Sequence, residues 1–344
     1  MYLPYLEEAV WDPHRCSGCG ACVGTCPPKI LDFKDREEPE AIESCQFIGN
    51  CYNVCPRTMT EEIATKISKR FGDNGGSIGG YRGRYFARSS DNDLINNSQN
   101  YGVATSILHQ LLEESIVDSC IVIVADEKYN ASTWIVRNLD ELKQSSKSKY
   151  LWYPVLTDLQ KYLLDDSIKS LAIVGVPCVV QAVRRIQEAD LADIGEAKEK
   201  IKFVLGLFCF EIFKKELLTE YLAKEKGISP RRIRKMNVSG KFLEITLDNG
   251  ETKKIDIKET KPYVRKGCSH CRDFTAEWAD ISVGNVGSPK DYGVVVTRTE
   301  LGERVFQTMM EKKTVKTAEF SLETFAIAEK LSGFKKKRLP HTIE

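Results

Sequence analysis

The feature that most restricts the fold of this chain is a run of four cysteines near its amino terminus, CSGCGACVGTCP. Cys16, Cys19, Cys22 and Cys26 are followed by Pro27, which gives the spacing C-x2-C-x2-C-x3-C-P. This spacing is typical of bacterial ferredoxins, in which three cysteines of a run bind one iron–sulfur cluster and the fourth binds the other. The run therefore predicts an iron–sulfur cluster site.

The same spacing recurs, incompletely, 29 residues further along the chain. In ESCQFIGNCYNVCPRT, residues 43–58, cysteines occupy the first, third and fourth positions of the run, and a proline again follows. Ile48 stands at the second position. We interpret the first sixty or so residues as a duplicated ferredoxin module in which one ligand is replaced. The second run consists of Cys45, Cys51, Cys55 and Pro56.

Crossed ligation, as in two-cluster ferredoxins, assigns each cysteine to a cluster. The assigned ligands are Cys16, Cys19, Cys22 and Cys55 for the first cluster, and Cys26, Cys45 and Cys51 for the second. Three thiolates suit a 3Fe-4S cluster, or a 4Fe-4S cluster whose open corner takes water or another ligand. Gln46 and Asn50 are nearby, but neutral amides are poor iron ligands compared with thiolate. The alternative is that the second cluster is absent and Ile48 fills its space.

Composition narrows the class of protein that carries this module. The 344 residues include 50 basic and 49 acidic side chains, so no charge excess indicates nucleic acid or a membrane surface as the main partner. No basic leader opens the chain, and its longest apolar runs, 171–180 and 201–210, fall short of the ~18 residues of a membrane span. We expect a cytoplasmic protein, at most peripheral to a membrane through a partner. The basic run 335–338 is interpreted as a solvated terminus.

Beyond residue 99, short apolar strands alternate with helical patterns. Strands are predicted at 120–125, 171–175, 201–208 and 294–298, and apolar residues recur at helical spacing over 103–112. This alternation predicts an α/β sheet with helices on its faces. The segment KFLEITLDNGETKKIDI adds a β-hairpin extension. The predicted division is an iron–sulfur module at 1–65, a glycine-rich linker and lead-in segment at 66–98, the α/β domain at 99–330, and a basic tail at 331–344.

Five further cysteines lie in this second part. Cys120, in the middle of a predicted strand, is interpreted as a core residue. Cys178 and Cys209 follow the ends of strands, at the edge where open α/β sheets bind ligands, and Cys268 and Cys271 form a C-x2-C pair. The last four can meet at one metal, for which spacing alone allows zinc or a 4Fe-4S cluster, and the attached ferredoxin module favours iron. The alternative is that Cys178 and Cys209 are small buried apolar residues.

Together these motifs resemble the beta-subunit family of coenzyme F420-reducing hydrogenases and coenzyme F420H2 dehydrogenases. The resemblance spans nearly the whole chain, and its motifs are specific as a set although each alone is weak. They are CYNVCPR, SKSKY (146–150), AIVGVPCVVQA (172–182), GLFCFEIF (206–213), KMNVSGKF (235–242), CSHCRDFTAEWADISVGNVGS (268–288) and VVVTRTELGE (294–303).

The resemblance implies FAD beside a 4Fe-4S cluster in the main domain, and hydride exchange between that flavin and coenzyme F420 as substrate. Single electrons then pass through the clusters to a redox partner subunit or ferredoxin within a hetero-oligomer, or arrive by the same path. With the two module clusters expected from the cysteine spacing, the expected cofactors are FAD, two 4Fe-4S clusters and one three-cysteine cluster, for which we expect the 3Fe-4S type. The implied ligands of the third cluster are Cys178, Cys209, Cys268 and Cys271. The implied flavin contacts are Gln99, Asn100, Tyr101, Gly102, Lys149, Gly284, Asn285 and Gly287.

The chain departs from the family at one of these segments. Where the family has Gln-Asp-Gly-Gly, this chain has Gln99, Asn100, Tyr101 and Gly102. Tyrosine adds bulk where glycine lets backbone approach a ligand, although its ring can also stack on a flavin. Three hypotheses therefore stand: a subunit that oxidises reduced coenzyme F420 or catalyses the reverse, a ferredoxin-dependent reductase of another substrate, and a flavin-free electron-relay subunit.

Overall fold

The computed structural model describes residues 6–34, 37–45, 48–72, 74–126, 128–146, 150–191 and 193–338. Its strands are β1 Leu31–Asp32, β2 Glu40–Ala41, β3 Gly83–Ser89, β4 Ser119–Ala125, β5 Ala131–Val136, β6 Leu171–Gly175, β7 Ile201–Leu207, β8 Ile233–Ser239, β9 Phe242–Leu247, β10 Thr252–Asp256, β11 Ile281–Gly284, β12 Gly293–Thr297 and β13 Val315–Ala318. Its α-helices are Ala21–Gly24, Asn50–Val54, Glu61–Ser68, Asn92–Asn97, Val103–Glu113, Leu139–Ser145, Leu159–Leu164, Pro177–Glu188, Glu300–Glu311 and Leu322–Lys336. Wider π-type turns span Glu7–Trp11 and Leu217–Glu225.

The amino-terminal module repeats its own backbone. Gly20 and Gly49 both have a φ of 87°, a left-handed conformation that glycine adopts without strain. Each precedes a short helix, Ala21–Gly24 in the first half and Asn50–Val54 in the second. The two helices pack against each other, and β1 pairs with β2 beside them. The duplication predicted from cysteine spacing is thus present in the fold.

An eight-stranded mixed sheet forms the main domain, in the order β13-β3-β12-β11-β7-β6-β4-β5. The four central strands β11, β7, β6 and β4 are parallel, and antiparallel strands extend both edges. Because the side chains of a strand alternate between faces, two core layers form. Helices Leu159–Leu164 and Pro177–Glu188 cover one face, and Val103–Glu113 and Glu300–Glu311 cover the other. Cys120 is fully buried in the second layer, as a core residue should be.

A three-stranded antiparallel sheet, β10-β9-β8, forms the predicted extension. The hairpin turn between β9 and β10 contains Gly250, whose φ is 82°. The turn Leu217–Glu225 packs its apolar side chains on this small sheet and completes a separate core. The expected α/β fold with a ferredoxin-like module and a hairpin extension is therefore confirmed.

The structure differs from the expected division at two places. Strand β3 lies between β13 and β12, so the segment predicted as linker joins the main sheet from Gly83 onward. The charged residues of β3 made this strand hard to predict from the sequence. In the structure the Arg84 guanidinium is accommodated over the ring of Tyr81, 4.5 Å from its centroid. The described part of the basic tail is also not fully solvated: helix Leu322–Lys336 packs on the domain, and Lys335 is 1% exposed, whereas Lys337 is exposed. In the described parts of the chain, no helix is long and apolar enough to span a membrane.

Candidate redox site

Four thiols of the amino-terminal module meet in one buried group. Each is at most 9% exposed. Burial raises the pKa of each thiol, and neighbouring thiols raise it further, as Cys55 does for Cys16. The backbone N–H of Gly18 donates to Sγ of Cys16 at 3.3 Å, the kind of contact that favours thiolate. We call this the first group: Cys16, Cys19, Cys22 and Cys55.

The second group consists of Cys26, Cys45 and Cys51. Cys51 feels the charge of both other thiols, although burial is the main cause of its raised pKa. The three cysteines line a small open cavity together with Ile48. Ile48 is one of the residues that line this cavity, and it is 40% exposed. Gln46, considered as a further ligand, lies outside the described residues.

The third group joins Cys178, Cys209, Cys268 and Cys271 from three loops. Cys178 lies in the first turn of the helix after β6, and Cys209 follows β7. Burial raises the pKa of Cys178 and of Cys209, and the Cys271 thiol adds to both effects. Among the described residues no three cysteine, histidine, aspartate or glutamate side chains are close enough to hold a single metal ion. Cluster ligands, each bound to its own iron, do not need to be that close.

The first and third groups are neighbours. The Cys19 thiol contributes to the raised pKa of Cys178, after burial. Between them lies Arg57, which is 1% exposed. Its guanidinium donates to the carbonyls of Arg15 at 3.1 Å and Gly267 at 3.3 Å. Since Arg15 precedes Cys16 and Gly267 precedes Cys268, one side chain connects the loops that carry both groups.

Sequence reasoning missed the buried cations around these groups. Lys335 donates to the carbonyls of Cys209 at 2.6 Å and Asp273 at 2.8 Å. The guanidinium of Arg265 lies 4.2 Å from the centroid of the Trp152 ring and donates to the Cys16 carbonyl at 3.4 Å. The position of Arg265, three residues before Cys268, was a usable signal. Lys335 offered no such signal, because it is far along the chain from the cysteines it approaches.

Two of the implied flavin segments meet at one side chain. Nε2 of Gln99 donates to Oδ1 of Asn237 at 3.3 Å, and Nδ2 of Asn285 donates to the same oxygen at 3.3 Å. Gln99 also donates to the carbonyl of Met236 at 3.3 Å. The structure therefore brings the segment before helix Val103–Glu113 to the loop after β11, and it adds Asn237 of β8, which the sequence had not singled out.

The altered segment has an unusual backbone. Tyr101 has φ 55° and ψ 34°, a left-handed conformation that costs a non-glycine residue roughly 1–2 kcal/mol. Gly102, with φ 77°, then begins the helix. The other two glycines are also closely packed: a Cβ on Gly284 would lie 2.3 Å from the Phe208 ring, and Gly287 has φ 84°. Lys149 and the side chain of Asn100 lie outside what the structure describes.

The residues around Gln99 fit a polar ligand. Oε1 of Gln99, Oγ of Ser98 and Nε of Arg88 are buried without a hydrogen-bond partner among the described residues. Because buried polar atoms are rarely left unpaired, these atoms indicate a bound group. Tyr150 connects this region to the third group: burial raises the pKa of its hydroxyl, the Cys209 thiol adds to the effect, and a hydrogen bond with Gln99 opposes it.

Comparison with known proteins shows the family. The family model for the carboxyl-terminal part of the coenzyme F420 hydrogenase/dehydrogenase beta subunit matches residues 168–323, and the model for its amino-terminal part matches residues 84–160. The chain belongs to the coenzyme F420 hydrogenase/dehydrogenase beta-subunit family. A 4Fe-4S dicluster domain model matches residues 8–56, which supports iron–sulfur clusters in the module.

Relatives with named activities cover most of the chain. Coenzyme F420-dependent sulfite reductase of Methanocaldococcus jannaschii is 34% identical over the whole chain, which spans about half (52%) of that protein. Coenzyme F420 hydrogenase subunit beta of Methanothermobacter thermautotrophicus is 30% identical, over 77% of this chain and 95% of that one. A chain of the F420-reducing NiFe hydrogenase complex from Methanosarcina barkeri superposes with a TM-score of 0.72 and 25% identity, over 76% of this chain and 91% of that one.

Proposed function

We propose that this chain oxidises reduced coenzyme F420, taking hydride onto FAD and passing single electrons through iron–sulfur clusters to a partner, or that it catalyses the reverse. The named relatives differ in their second reactant, hydrogen or sulfite, and have coenzyme F420 in common. A protein shared by such enzymes is best explained by the reactant that they share. Because the chain spans only about half of that sulfite reductase, sulfite reduction is not part of the proposed function.

The observation that carries the proposal is the succession of neighbouring groups from the Gln99 region to a cavity at the protein surface. The Gln99 side chain and the Cys209 thiol both act on the pKa of the Tyr150 hydroxyl, after burial. The third group adjoins the first through Arg57, whose hydrogen bonds reach the loops of both groups, and the Cys19 thiol contributes to the raised pKa of Cys178. The first group adjoins the second group. The Cys51 thiol of the second group contributes to the raised pKa of Cys22, after burial and the other three thiols of the first group. The proposed flavin region and the three cysteine groups thus follow one another through the protein. This arrangement suits electron transfer better than it suits hydrolysis or binding alone.

Each cofactor has a donor set that fits it. The first and third groups, with four thiols each, are proposed to bind 4Fe-4S clusters, and the second, with three thiols and Ile48 at the missing corner, a 3Fe-4S cluster. FAD would be held by Gln99, Asn237 and Asn285. When bound, FAD supplies the conversion between two-electron hydride transfer and one-electron cluster chemistry. The buried side chains around Gln99 would orient the flavin and exclude water from it.

The proposed function also suggests where the protein works and with which partners. We place the chain in the cytoplasm, within a hetero-oligomer that is free or attached to the cytoplasmic face of a membrane through a partner. The electron acceptor would be a partner subunit or a ferredoxin. It would dock near the second group, whose cavity opens at the surface. Nothing in the charge balance of the chain calls for nucleic acid.

Anaerobic cofactor analysis and a coenzyme F420 assay test this function. Purified protein should contain releasable FAD and iron for three clusters, and should oxidise reduced coenzyme F420 with an artificial acceptor, followed by the absorbance of the oxidised coenzyme. Gln99→Leu should lose most of its FAD and keep its iron, while the nearby exposed Asn96→Ala keeps both. FAD without coenzyme F420 oxidation would indicate a reductase of another substrate. Iron without FAD would indicate a flavin-free relay.

A further inference from the structure

Arg57 is buried in a position that a cation occupies only at a cost. Its guanidinium is 1% exposed and makes contacts with backbone carbonyls of Arg15, Gly267 and His270, at 3.1, 3.3 and 3.4 Å. Carbonyl dipoles satisfy its N–H groups, but a buried charge also requires negative charge nearby. The acidic groups that act on it are the thiols of the first and third groups, Cys55 and Cys271 among them.

Lys335 is a second such cation beside the third group. It reaches the site from the last turn of helix Leu322–Lys336 and is 1% exposed. Nζ donates to the carbonyl of Cys209 at 2.6 Å and to that of Asp273 at 2.8 Å. The Asp273 carboxylate is itself engaged by the backbone N–H of Glu277 at 3.1 Å. Lys335 is therefore held against the ligand loops by its own hydrogen bonds.

We propose that Arg57 and Lys335 set the reduction potentials of the clusters, Lys335 for the third cluster and Arg57 for the third and first together. The inference rests on the proposed function, because it requires clusters in both groups. One-electron reduction of a cluster adds one negative charge and takes up no proton. A fixed cation stabilises the more negative state, and it does so strongly where water is excluded. Both cations therefore raise the potential of the cluster that they adjoin.

The arrangement has a consequence for electron flow. Lys335 makes the third cluster a better acceptor for electrons that leave the flavin beside it. Arg57 acts on the third and first clusters in the same direction, because its contacts reach the loops of both. Arg57 therefore changes the difference between the two potentials less than Lys335 does, because Lys335 raises only the potential of the third cluster.

Redox titration of the anaerobic full-length protein, followed by EPR, tests the proposal. Lys335→Met should lower the reduced-to-oxidised ratio of the third cluster at least tenfold at a fixed potential, which is about 59 mV for a one-electron couple. The first cluster should not change. Arg57→Gln should lower the ratio for both clusters. Lys330→Met, which removes a cation from the same helix outside the cysteine groups, should change neither.

Iron and sulfide counts on the same samples separate the two possible failures. Wild-type protein with iron for only two clusters would overturn the proposed cofactor set. Full iron content with unchanged potentials in Lys335→Met would overturn the role of the cation alone. If the methionine variant does not retain its third cluster, Lys335→Arg decides instead. This variant keeps the charge, and we expect its ratio to stay within threefold of wild type, so a tenfold change would contradict the proposal.

Discussion

In the amino-terminal module, the last cysteine of each run lies with the cysteines of the other run. Cys26 ends the first run, yet its thiol lies with Cys45 and Cys51 of the second. Cys55 ends the second run, yet its thiol lies with Cys16 and Cys19 of the first. The short helices place these cysteines, since each begins at a left-handed glycine and directs the chain back toward the other half. This placement of the thiols supports the proposed crossed ligation.

Serine replacements should show the crossing directly. Cys55→Ser should remove a ligand from the first cluster, although Cys55 belongs to the second run. Cys26→Ser should remove a ligand from the second cluster, although Cys26 belongs to the first run. We expect the EPR signal of a four-cysteine cluster to be lost or altered in Cys55→Ser only, and the 3Fe-4S signal in Cys26→Ser only. Cys120→Ser, in the core, should leave the iron content unchanged. Loss of the same signal in both end-of-run variants would contradict the assignment.

Among the secondary-structure elements, the carboxyl ends of the parallel strands position the third group and the proposed flavin contacts. Strands β6, β7 and β11 run parallel and end at one edge of the sheet. Cys178 follows the first, Cys209 the second, and the loop with Asn285 the third. Because parallel strands bring their carboxyl ends together, the third group and the proposed flavin contacts become neighbours there. Helix Pro177–Glu188 follows β6, and helix Glu300–Glu311 follows β12, the antiparallel neighbour of β11. The amino-terminal cap of the second helix ties it to the start of β11.

The cap of helix Glu300–Glu311 provides a measurable case. Oγ1 of Thr299 accepts from the backbone N–H of Gly302 at 3.1 Å and donates to Oδ1 of Asp280 at 2.8 Å. Thr299→Ala should lower the free energy of unfolding by about 1–2 kcal/mol, because a cap and a buried hydrogen bond are lost together. Urea denaturation measures this. The mid-helix control Thr308→Ala should be within about 0.5 kcal/mol of wild type, and an equal loss there would rule out the cap as the cause.

Across the whole molecule, the module docks on the main domain through its cluster loops. The backbone N–H of Leu156 donates to the carbonyl of Cys19 at 3.0 Å, and Nε1 of Trp152 donates to that of Gly18 at 2.8 Å. Nε of Arg185 donates to the carbonyl of Asn53 at 2.7 Å. Such contacts leave little space, and they keep the first group beside the third. The distance between redox groups is therefore a property of this interface.

Gly24 tests the importance of that interface. A Cβ on this residue would lie 1.8 Å from the carbonyl oxygen of Leu156, a backbone atom that cannot move aside alone. Gly24→Ala should cost about 1–3 kcal/mol of stability. It should also slow the reduction of the module clusters by reduced coenzyme F420 at least tenfold in stopped-flow absorbance, with FAD content unchanged. Gly333→Ala, whose added Cβ meets nothing within 4 Å, is the control. Wild-type reduction rates in Gly24→Ala would show that the close approach is not needed.

Features that depend on local spacing could be predicted from the amino-acid order alone. Cysteine runs, apolar strands and the hairpin turn are each encoded within a few residues, so the ferredoxin repeat and the α/β sheet were predictable. Packing in three dimensions was needed to show that β3 enters the main sheet, that Asn237 joins Gln99 and Asn285, and that Arg57 and Lys335 lie beside the third group. These contacts join residues far apart in the chain. A basic run has the same composition whether it lies in water or against buried thiols, and the packing of helix Leu322–Lys336 is what distinguishes the two.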